Sequence, residues 1–247
     1  MRIGGIDIGS RYIKYVLLEG NSILDFKKRE TGHNPLSVCK ELLTVNRPEK
    51  IVATGYGRYL LEVFGDIRTI TEIKAVAKGV KAIFPLCRTI IDIGGQDTKV
   101  ISLSDQGSVV NFEMNDRCAA GTGRFIEIMS RALGYDLDHF GASCNSRSGN
   151  VKINSMCTVF AESEVISLIA KGEKREVIAY SIHDSIASKV ISMVKRIDIQ
   201  DDIVFAGGCA RNPCLRRILE ERLQKTLYVH ENPYMHAAYG AALYADI

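Results

Sequence analysis

The sequence lacks the features that mark several large classes of protein. No apolar run approaches the ~18 residues that a membrane-spanning helix needs, and no cluster of lysine and arginine suggests a nucleic-acid surface. The net charge is only +3, from 32 basic and 29 acidic residues. The chain opens directly into strand-like sequence, "MRIGGIDIGS", without a leader. We therefore expect a cytoplasmic protein that binds neither nucleic acid nor membrane.

The seven cysteines do not show the paired C-x-x-C pattern of zinc sites. Their odd number and the absence of a secretion signal argue against a disulfide framework and predict reduced thiols. Cys39, Cys87 and Cys214 are expected to be core residues, because an isolated cysteine is usually a small buried side chain. Cys209 is expected to line a base pocket or its floor. For Cys144, in the polar loop "GASCNSRSGN", an exposed reactive thiol and an additional ligand both stay open.

The stretch "NDRCAAGTGRFIEIM" places Cys118 shortly before two glycines and a segment of helical periodicity. The glycines fit a backbone anion loop at the start of a helix, whereas the cysteine fits a nucleophile, a metal ligand or a core residue. A nucleophile needs an activating base, and none of the five histidines is close to Cys118 in sequence. These residues alone leave an anion loop, a metal ligand and a core position open.

An internal repeat divides the chain. Residues 6–18, "IDIGSRYIKYVLL", align without a gap on residues 91–103, "IDIGGQDTKVISL", with six identities in thirteen positions. In both copies a β-branched strand enters an Asp-x-Gly turn and leaves as a second strand, and a third strand is expected near "SILDF" and "SVVNF". Two related halves are predicted; two unrelated hairpins with the same turn chemistry are the alternative.

Strands and helices alternate through the rest of the chain, which predicts an α/β fold in two lobes. The segment "DIVFAGGCARNPCLRRILEERL" is expected to form a strand, a glycine turn and a helix, with Asn212 as N-cap and Pro213 at the first helical position. Other helices are expected at "PLSVCKELLTV", "EIKAVAKGVKAIF", "TGRFIEIMSRAL", "TVFAESEVISLIAKG" and "REVIAYSIHDSIASKVISMVKRI".

The two Asp-x-Gly hairpins are candidates for phosphate binding. Such a turn presents backbone N–H groups to a phosphate, and the strand-end carboxylate can hold Mg²⁺ directly or through water. Two of them facing each other would clamp a phosphate chain, and the turn "AGGCARN" would pass under an adenosine where a Cβ would clash. The candidate residues are Asp7, Gly9, Ser10, Asp92, Gly94, Gly95, Gly207, Gly208 and Asn212.

Five further residues near these turns are candidates for nucleotide chemistry. Gln96 and Asp97 are expected to orient the hydrolytic water. Lys14 and Lys99 either reach a phosphate oxygen or are solvated strand lysines. In the first turn, Arg11 stands where a small hydroxyl residue is commoner, so it either alters the phosphate contacts or points to solvent.

Together these motifs resemble the acetate kinase, sugar kinase, Hsp70 and actin superfamily of ATPases. Within it, "TGYGR", "DIGGQDTK", "NDRCAAGTGRF", "CTVFAESEVISLIAKG" and "GGCARN" resemble the ATP-dependent activators of 2-hydroxyacyl-CoA dehydratases and the ATPase subunits of benzoyl-CoA reductase, from about residue 3 to residue 245. The resemblance implies a two-lobed actin/Hsp70-like fold of duplicated ribonuclease H-like domains, with the nucleotide cleft between the lobes. The expected lobes are residues 1–86, joined by a C-terminal helix at 234–247, and residues 87–233.

The resemblance also implies a homodimer with one 4Fe-4S cluster, held by Cys118 and Cys157 of each subunit. Both cysteines precede expected helices, whose partial positive charge favours a thiolate. A cube needs four ligands and one chain supplies two, so a two-fold axis would supply the others. Gly121 and Gly123 would let a helix start close to a neighbouring backbone, with Thr122 as a candidate cap. These three residues and Glu162 complete the expected nucleotide-contacting set.

The implied activity is ATP-gated electron transfer in anaerobic metabolism. A reduced ferredoxin or flavodoxin would supply an electron, Mg²⁺ and ATP would bind in the cleft, and lobe movement would shift the helices that follow Cys118 and Cys157. The electron would pass to a partner dehydratase or reductase metalloenzyme. A small-molecule kinase of the same superfamily is the alternative, although 247 residues leave little room for a sugar-binding insertion. A third alternative is a non-enzymatic, ATP-switched assembly protein.

Overall fold

The fold is α/β and contains two five-stranded sheets. The computed structural model describes residues 1–20, 22–65, 67–144, 151–153 and 158–245, without the side chain of Asn46. Among these residues, no helix combines the length and the apolar character that a membrane span requires.

The first sheet has the order β3-β2-β1-β4-β5. Strands β1 and β2 form an antiparallel hairpin, and β4 runs parallel to β1 on its other side. The first half is formed by β1 (Arg2–Ile8), β2 (Tyr12–Glu19), β3 (Ser22–Glu30), α1 (Pro35–Asn46), β4 (Lys50–Thr54), the 3₁₀ segment Arg58–Phe64, β5 (Arg68–Thr69) and α2 (Glu72–Ile83).

The second sheet has the order β10-β9-β6-β7-β8, with the β6–β7 hairpin antiparallel and β9 parallel to β6. The rest of the chain forms β6 (Thr89–Ile93), β7 (Thr98–Leu103), β8 (Val109–Asn115), α3 (Gly123–Ala132), α4 (Leu137–Phe140), α5 (Thr158–Ala170), α6 (Arg175–Val194), β9 (Ile203–Ala206), the 3₁₀ segment Gly208–Arg211, α7 (Pro213–Leu223) and β10 (Leu227–Tyr228). The last helix, α8 (His236–Ala242), packs on the first sheet.

The two sheets have the same topology, which confirms the internal repeat. Asp7 pairs with Lys14 across the first hairpin, and Asp92 pairs with Lys99 at the equivalent position of the second. The predicted third strands are β3 and β8. Strands β1 and β6 are the central strands of their sheets. Asp7 and Asp92, near the ends of these strands, therefore occupy equivalent places in the two halves.

The helices predicted from periodicity and capping are present. In α6 an apolar stripe lies in the largest hydrophobic cluster of the second half and consists of Ile178, Ile182, Ile186, Val190 and Val194. Asn212 caps α7 as predicted, since its Oδ1 accepts a hydrogen bond from Leu215 N at 3.0 Å and Pro213 follows at the first helical position. In the same way Asn34 caps α1, with Ser37 N as the donor at 3.1 Å.

Helix α8 crosses the first sheet and α2 at very short range. A Cβ at Gly240 would lie 1.7 Å from Ala75 O, and one at Gly79 would lie 2.0 Å from His236 O. The same holds for Gly5 of β1, where an added Cβ would lie 2.0 Å from Ala238 O. Glycine is therefore required at these crossings because backbone meets backbone. The C-terminal helix expected near residues 234–247 packs against β1 and α2.

Gly240→Ala is expected to reduce the free energy of unfolding by at least about 1–3 kcal/mol, because the added methyl group forces α8 away from α2. Denaturant unfolding measures this. Ala82→Ser on the exposed face of α2 is the control, and its effect should stay within about 0.5 kcal/mol. Equal stability of Gly240→Ala and the unsubstituted protein would contradict the close crossing.

Candidate functional site

A cavity of about 1000 Å³ lies between the two sheets and is lined by both halves of the repeat. Fourteen of the predicted site residues line it: Asp7, Gly9, Ser10, Arg11, Lys14, Asp92, Gly94, Gly95, Gln96, Asp97, Gly123, Gly207, Gly208 and Asn212. The volume lies at the upper end of the range for small-molecule sites, which is about 300–1000 Å³.

The two Asp-x-Gly turns face each other across this cavity. Each is closed by a backbone hydrogen bond, from Gly9 N to Tyr12 O at 3.2 Å and from Gly94 N to Asp97 O at 2.9 Å. A Cβ at Gly95 would lie 3.2 Å from the Arg11 Cβ, so the two turns are in near contact. Two opposed turns of this kind can direct backbone N–H groups at one phosphate chain.

The first turn holds a buried carboxylate with a lysine beside it. Lys14 Nζ donates to Asp7 Oδ2 at 2.7 Å, whereas the buried Asp7 Oδ1 has no hydrogen-bond partner among the described residues. Burial raises the pKa of Asp7, and Lys14 opposes that effect. A Cβ at Gly55 would lie 2.5 Å from Asp7 Oδ1, so a glycine is needed next to this oxygen.

The second turn holds a buried lysine among three carboxylates. Lys99 Nζ donates to Asp97 Oδ2 at 2.7 Å and to Glu72 Oε1 at 2.9 Å. It also lies 3.9 Å from Asp92 Oδ2. Burial disfavours the Lys99 ammonium, but the three carboxylates outweigh burial and raise its pKa. Burial raises the pKa of Asp92 to about 7. The neighbouring carboxylates of Glu72 and Asp97 act in the same direction, and the ammonium groups of Lys99 and Lys14 oppose them.

These contacts decide between the two interpretations of the strand lysines. Lys99 is buried and Lys14 is largely buried, so neither is a solvated strand lysine. Lys14 lines the cavity. Lys99 does not line it and instead pairs with the carboxylates of Asp97 and Glu72.

The third glycine turn follows β9 and lines the cavity. Gly207 has φ 82°, and a Cβ there would lie 2.3 Å from Ile93 O. At Gly208, which lines the cavity, an added Cβ would meet no protein atom within 4 Å. No side chain of another described residue therefore covers the backbone at this position. Asn212 is fixed at both ends of its amide, because its Nδ2 donates to His183 Nε2 at 2.9 Å while its Oδ1 caps α7. Cys209 lines the cavity, as predicted.

Helix α3 starts directly on the second of the two Asp-x-Gly turns, here called the first and second phosphate turns for their predicted role. Gly123 N donates to Gly94 O at 2.9 Å, and Arg124 N donates to Gly95 O at 2.8 Å. A Cβ at Gly123 would lie 2.9 Å from Gly94 O, so the close start expected from the glycine pair is confirmed. The first N–H groups of α3 are thereby satisfied by the phosphate turn rather than by a side-chain cap.

The loop that carries Cys118 is held against this junction. Asn115 Nδ2 donates to Cys118 O at 2.9 Å and to Ala120 O at 3.1 Å. Thr98 Oγ1 donates to Gly121 O at 2.6 Å. Cys118 is half-buried and lies in the loop five positions before the first residue of α3. Cys157 lies outside the described residues.

Three expected nucleotide-contacting residues lie elsewhere. Thr122 occupies the N-cap position of α3, but its hydroxyl donates to Ala119 O at 2.7 Å and caps no helical N–H. Neither Thr122 nor Gly121 lines the described cavity. Glu162 is exposed on α5 and is likewise absent from the cavity wall.

Two glutamates of the site were missed in the sequence. Glu72, at the start of α2, reaches Lys99; only the tertiary structure brings it there. Glu127 on α3 is buried and accepts hydrogen bonds from three arginines. Its spacing of three and four residues from Arg124 and Arg131 was a signal that helical periodicity could have revealed.

Cys144 and Cys214 form a disulfide in the structure, so the expectation of reduced thiols is wrong for this pair. Their Cα atoms are 5.8 Å apart, because the loop after α4 packs on the first turn of α7. His183 lies with them as the one group of three or more possible metal ligands among the described residues. Burial lowers the pKa of His183 to about 4, so its ring is neutral.

Cys39 and Cys87 are buried core residues, as predicted.

Known proteins resemble this chain over nearly its whole length. A "2-hydroxyisocaproyl-CoA dehydratase activator" of Clostridioides difficile is 41% identical over 250 residues, covering 98% of this chain and 93% of the relative. The solved structure of the Acidaminococcus fermentans (R)-2-hydroxyglutaryl-CoA dehydratase component A has a TM-score of 0.91 at 38% identity, covering 99% of this chain and 97% of that one.

A second solved structure contains a nucleotide analogue. The activator of the 2-hydroxyisocaproyl-CoA dehydratase from Clostridium difficile with bound ADPNP has a TM-score of 0.89 at 42% identity, covering 99% of this chain and 94% of that one. A ROK family glucokinase from Streptomyces griseus has a TM-score of 0.64 at 10% identity and covers 100% of this chain and 99% of its own. It shares the two-lobed fold alone, so the kinase alternative gains no support.

The sequence motifs, the paired phosphate turns and these similarities agree. Residues 5–245 match the BadF/BadG/BcrA/BcrD ATPase family. This chain is therefore a member of the BadF/BadG/BcrA/BcrD ATPase family, with the two-lobed α/β fold of its relatives.

Proposed function

We propose that this ATPase is a low-potential electron donor that activates a 2-hydroxyacyl-CoA dehydratase. The observation that carries the proposal is the junction between nucleotide cleft and cysteine loop: α3 begins on the second phosphate turn, and Cys118 lies on the loop just before it. The named relatives activate dehydratases of this class. In this proposal residues 1–86 with the C-terminal helix form one lobe, and residues 87–233 form the other.

The charge of the cleft floor supports binding of Mg²⁺ with the nucleotide. Asp7, Asp92, Asp97 and Glu72 bring four carboxylates together, and only two buried ammonium groups compensate them. The unpartnered Asp7 Oδ1 is an oxygen of the type that Mg²⁺ prefers. Asp7 and Asp92 would hold the ion directly or through water, which places it between the two phosphate turns.

The remaining polar groups fit the roles expected for hydrolysis. ATP and water give ADP and phosphate, so the site must align one water with the terminal phosphate. Gln96 and Asp97 line the cavity beside the second turn, and Asp97 is fixed by Lys99. We assign the orientation of water to these two residues and the phosphate contacts to the backbone of Gly9, Gly94 and Gly95. Gly207 and Gly208 would lie against the adenosine.

Cys118 and Cys157 would hold a 4Fe-4S cluster together with the same two residues of a second subunit. The exposed surface of α5 supports the dimer, because large apolar side chains there remain accessible in one chain. Val159, Phe160, Ile166 and Ile169 are between 42% and 68% exposed. Helix α5 begins at Thr158, the residue after Cys157 in the sequence, and packs against α3, the helix that follows the Cys118 loop. A bound cluster would store and pass on one electron.

The residues of the chain would couple ATP to this electron. A nucleotide that draws the two turns together moves α3, since its first two N–H groups are bonded to Gly94 and Gly95. Movement of α3 then reaches the Cys118 loop and, through packing, α5. A coupling of about 1–3 kcal/mol is typical of such linkage. A reduced ferredoxin or flavodoxin would supply the electron in the cytoplasm, and hydrolysis would return the donor to its starting state.

Cys118→Ser and Cys157→Ser are each expected to lose the iron of the anaerobically purified protein and the ATP-dependent activation of a dehydratase, while ADP binding persists. Iron content and calorimetric ADP affinity measure this. Cys144→Ser is the matched control, because it removes the disulfide beside His183 but leaves Cys118 and Cys157 in place. This variant should keep its iron. Loss of iron in Cys144→Ser with retention in Cys118→Ser would place the metal at the other group and contradict the assignment.

The buried Asp92 is expected to make the nucleotide-free protein less stable as pH rises from about 4 to about 7. Its folded-state pKa lies near 7 and the unfolded value lies near 3.9, so the folded protein binds more protons across this range. At roughly 1.4 kcal/mol per pKa unit, the decline should amount to a few kcal/mol.

Asp92→Asn should flatten this decline, as measured by urea unfolding at several pH values. The exposed Asp198→Asn is the control and should keep the decline of the unsubstituted protein. Equal slopes for Asp92→Asn and the unsubstituted protein would show that Asp92 is not the buried carboxyl that takes up the proton.

A further inference from the structure

Glu127 is a buried carboxylate that three arginines surround. Arg11 Nη2 donates to Oε1 at 3.0 Å and Arg131 Nη2 donates to the same oxygen at 2.7 Å. Arg124 Nη1 donates to Oε2 at 3.1 Å. The Glu127 side chain is 8% exposed, and each arginine is about half exposed or more. A buried carboxylate with charged donors on both oxygens is held firmly in place.

The three arginines differ in where they come from. Arg124 and Arg131 belong to α3 itself, three and four residues from Glu127. Arg11 lies in the first phosphate turn, 116 residues away and attached to the other sheet. Only the Arg11 pair therefore joins the first half of the chain to α3, whereas the other two stabilise the helix locally.

Helix α3 is consequently attached to both phosphate turns. Backbone hydrogen bonds join Gly123 and Arg124 to the second turn, and Arg11 joins Glu127 to the first. The Cβ of Arg11 lies next to Gly95 and its guanidinium reaches Glu127, so the side chain extends from the cleft to the middle of α3. A change in the separation of the two turns must either move α3 or break one of these attachments.

We infer that Arg11 is a positioning residue that transmits nucleotide-dependent movement of the first phosphate turn to α3 and the Cys118 loop. The inference rests on the proposed function for the role of Cys118, but it concerns a contact of this chain alone. The side chain that departs from the usual small hydroxyl residue of the turn thus acts through Glu127. Its backbone is left to contact phosphate.

The experiment compares hydrogen exchange of the full-length protein with saturating MgADP and with a saturating, non-hydrolysable Mg–ATP analogue. The Gly123 and Arg124 amides report directly on the attachment of α3, because each is bonded to the second turn. In the unsubstituted protein their exchange rates should differ between the nucleotides by at least about fivefold, the lower end of typical coupling. Arg11→Gln should bring this ratio close to one.

Arg131→Gln is the matched control. It removes a second arginine from the same Glu127 oxygen but cuts no link between the halves, so the fivefold ratio should persist. A ratio unchanged in Arg11→Gln, a ratio lost equally in both variants, or no nucleotide difference in the unsubstituted protein would overturn the inference. Melting temperatures of both variants separate loss of coupling from loss of folding.

Iron content of the same samples keeps this inference apart from the proposed function. A protein without iron whose exchange ratio still depends on Arg11 would refute the electron-donor role and leave the coupling intact. A protein with iron whose ratio is indifferent to Arg11 would refute the coupling alone.

Discussion

The structure depends on the place where α3 begins on the second phosphate turn. Two backbone N–H groups, of Gly123 and Arg124, bond to the carbonyl oxygens of Gly94 and Gly95. Gly123 has no room for a Cβ there, so the junction fixes both the residue type and the separation of helix and turn. Because the same turn lines the cavity, the cavity and the loop that carries Cys118 meet at one junction.

Duplication explains why this contact lies in a cleft. Both halves use one hairpin, one strand-end aspartate and one strand lysine, in the same sheet order. The copies then differ in chemistry. Lys14 pairs with one carboxylate and lines the cavity, whereas Lys99 is buried among three. The first half thus leaves one oxygen of Asp7 without a hydrogen-bond partner among the described residues, while in the second half Asp97 is held by Lys99.

Much of this could be read from the sequence because its signals are local. The hairpin repeat, the cap at Asn212 and the apolar stripe of α6 each follow from residues close in the chain. The contacts of Glu72 and Glu127, by contrast, join residues up to 116 positions apart, and no local pattern encodes such a distance. The disulfide of Cys144 was missed for the same reason, since only the packing of the loop after α4 on the start of α7 brings its partner near.

The central claim is that a nucleotide in the cleft acts on the Cys118 loop through α3. The most direct test is the midpoint reduction potential of the anaerobically iron-loaded protein, measured with MgADP and with a non-hydrolysable Mg–ATP analogue. A coupling of about 2.3 kcal/mol corresponds to a shift on the order of 100 mV for one electron, so we expect a lower potential with the ATP analogue by tens of millivolts or more. Identical potentials with the two nucleotides would contradict the account.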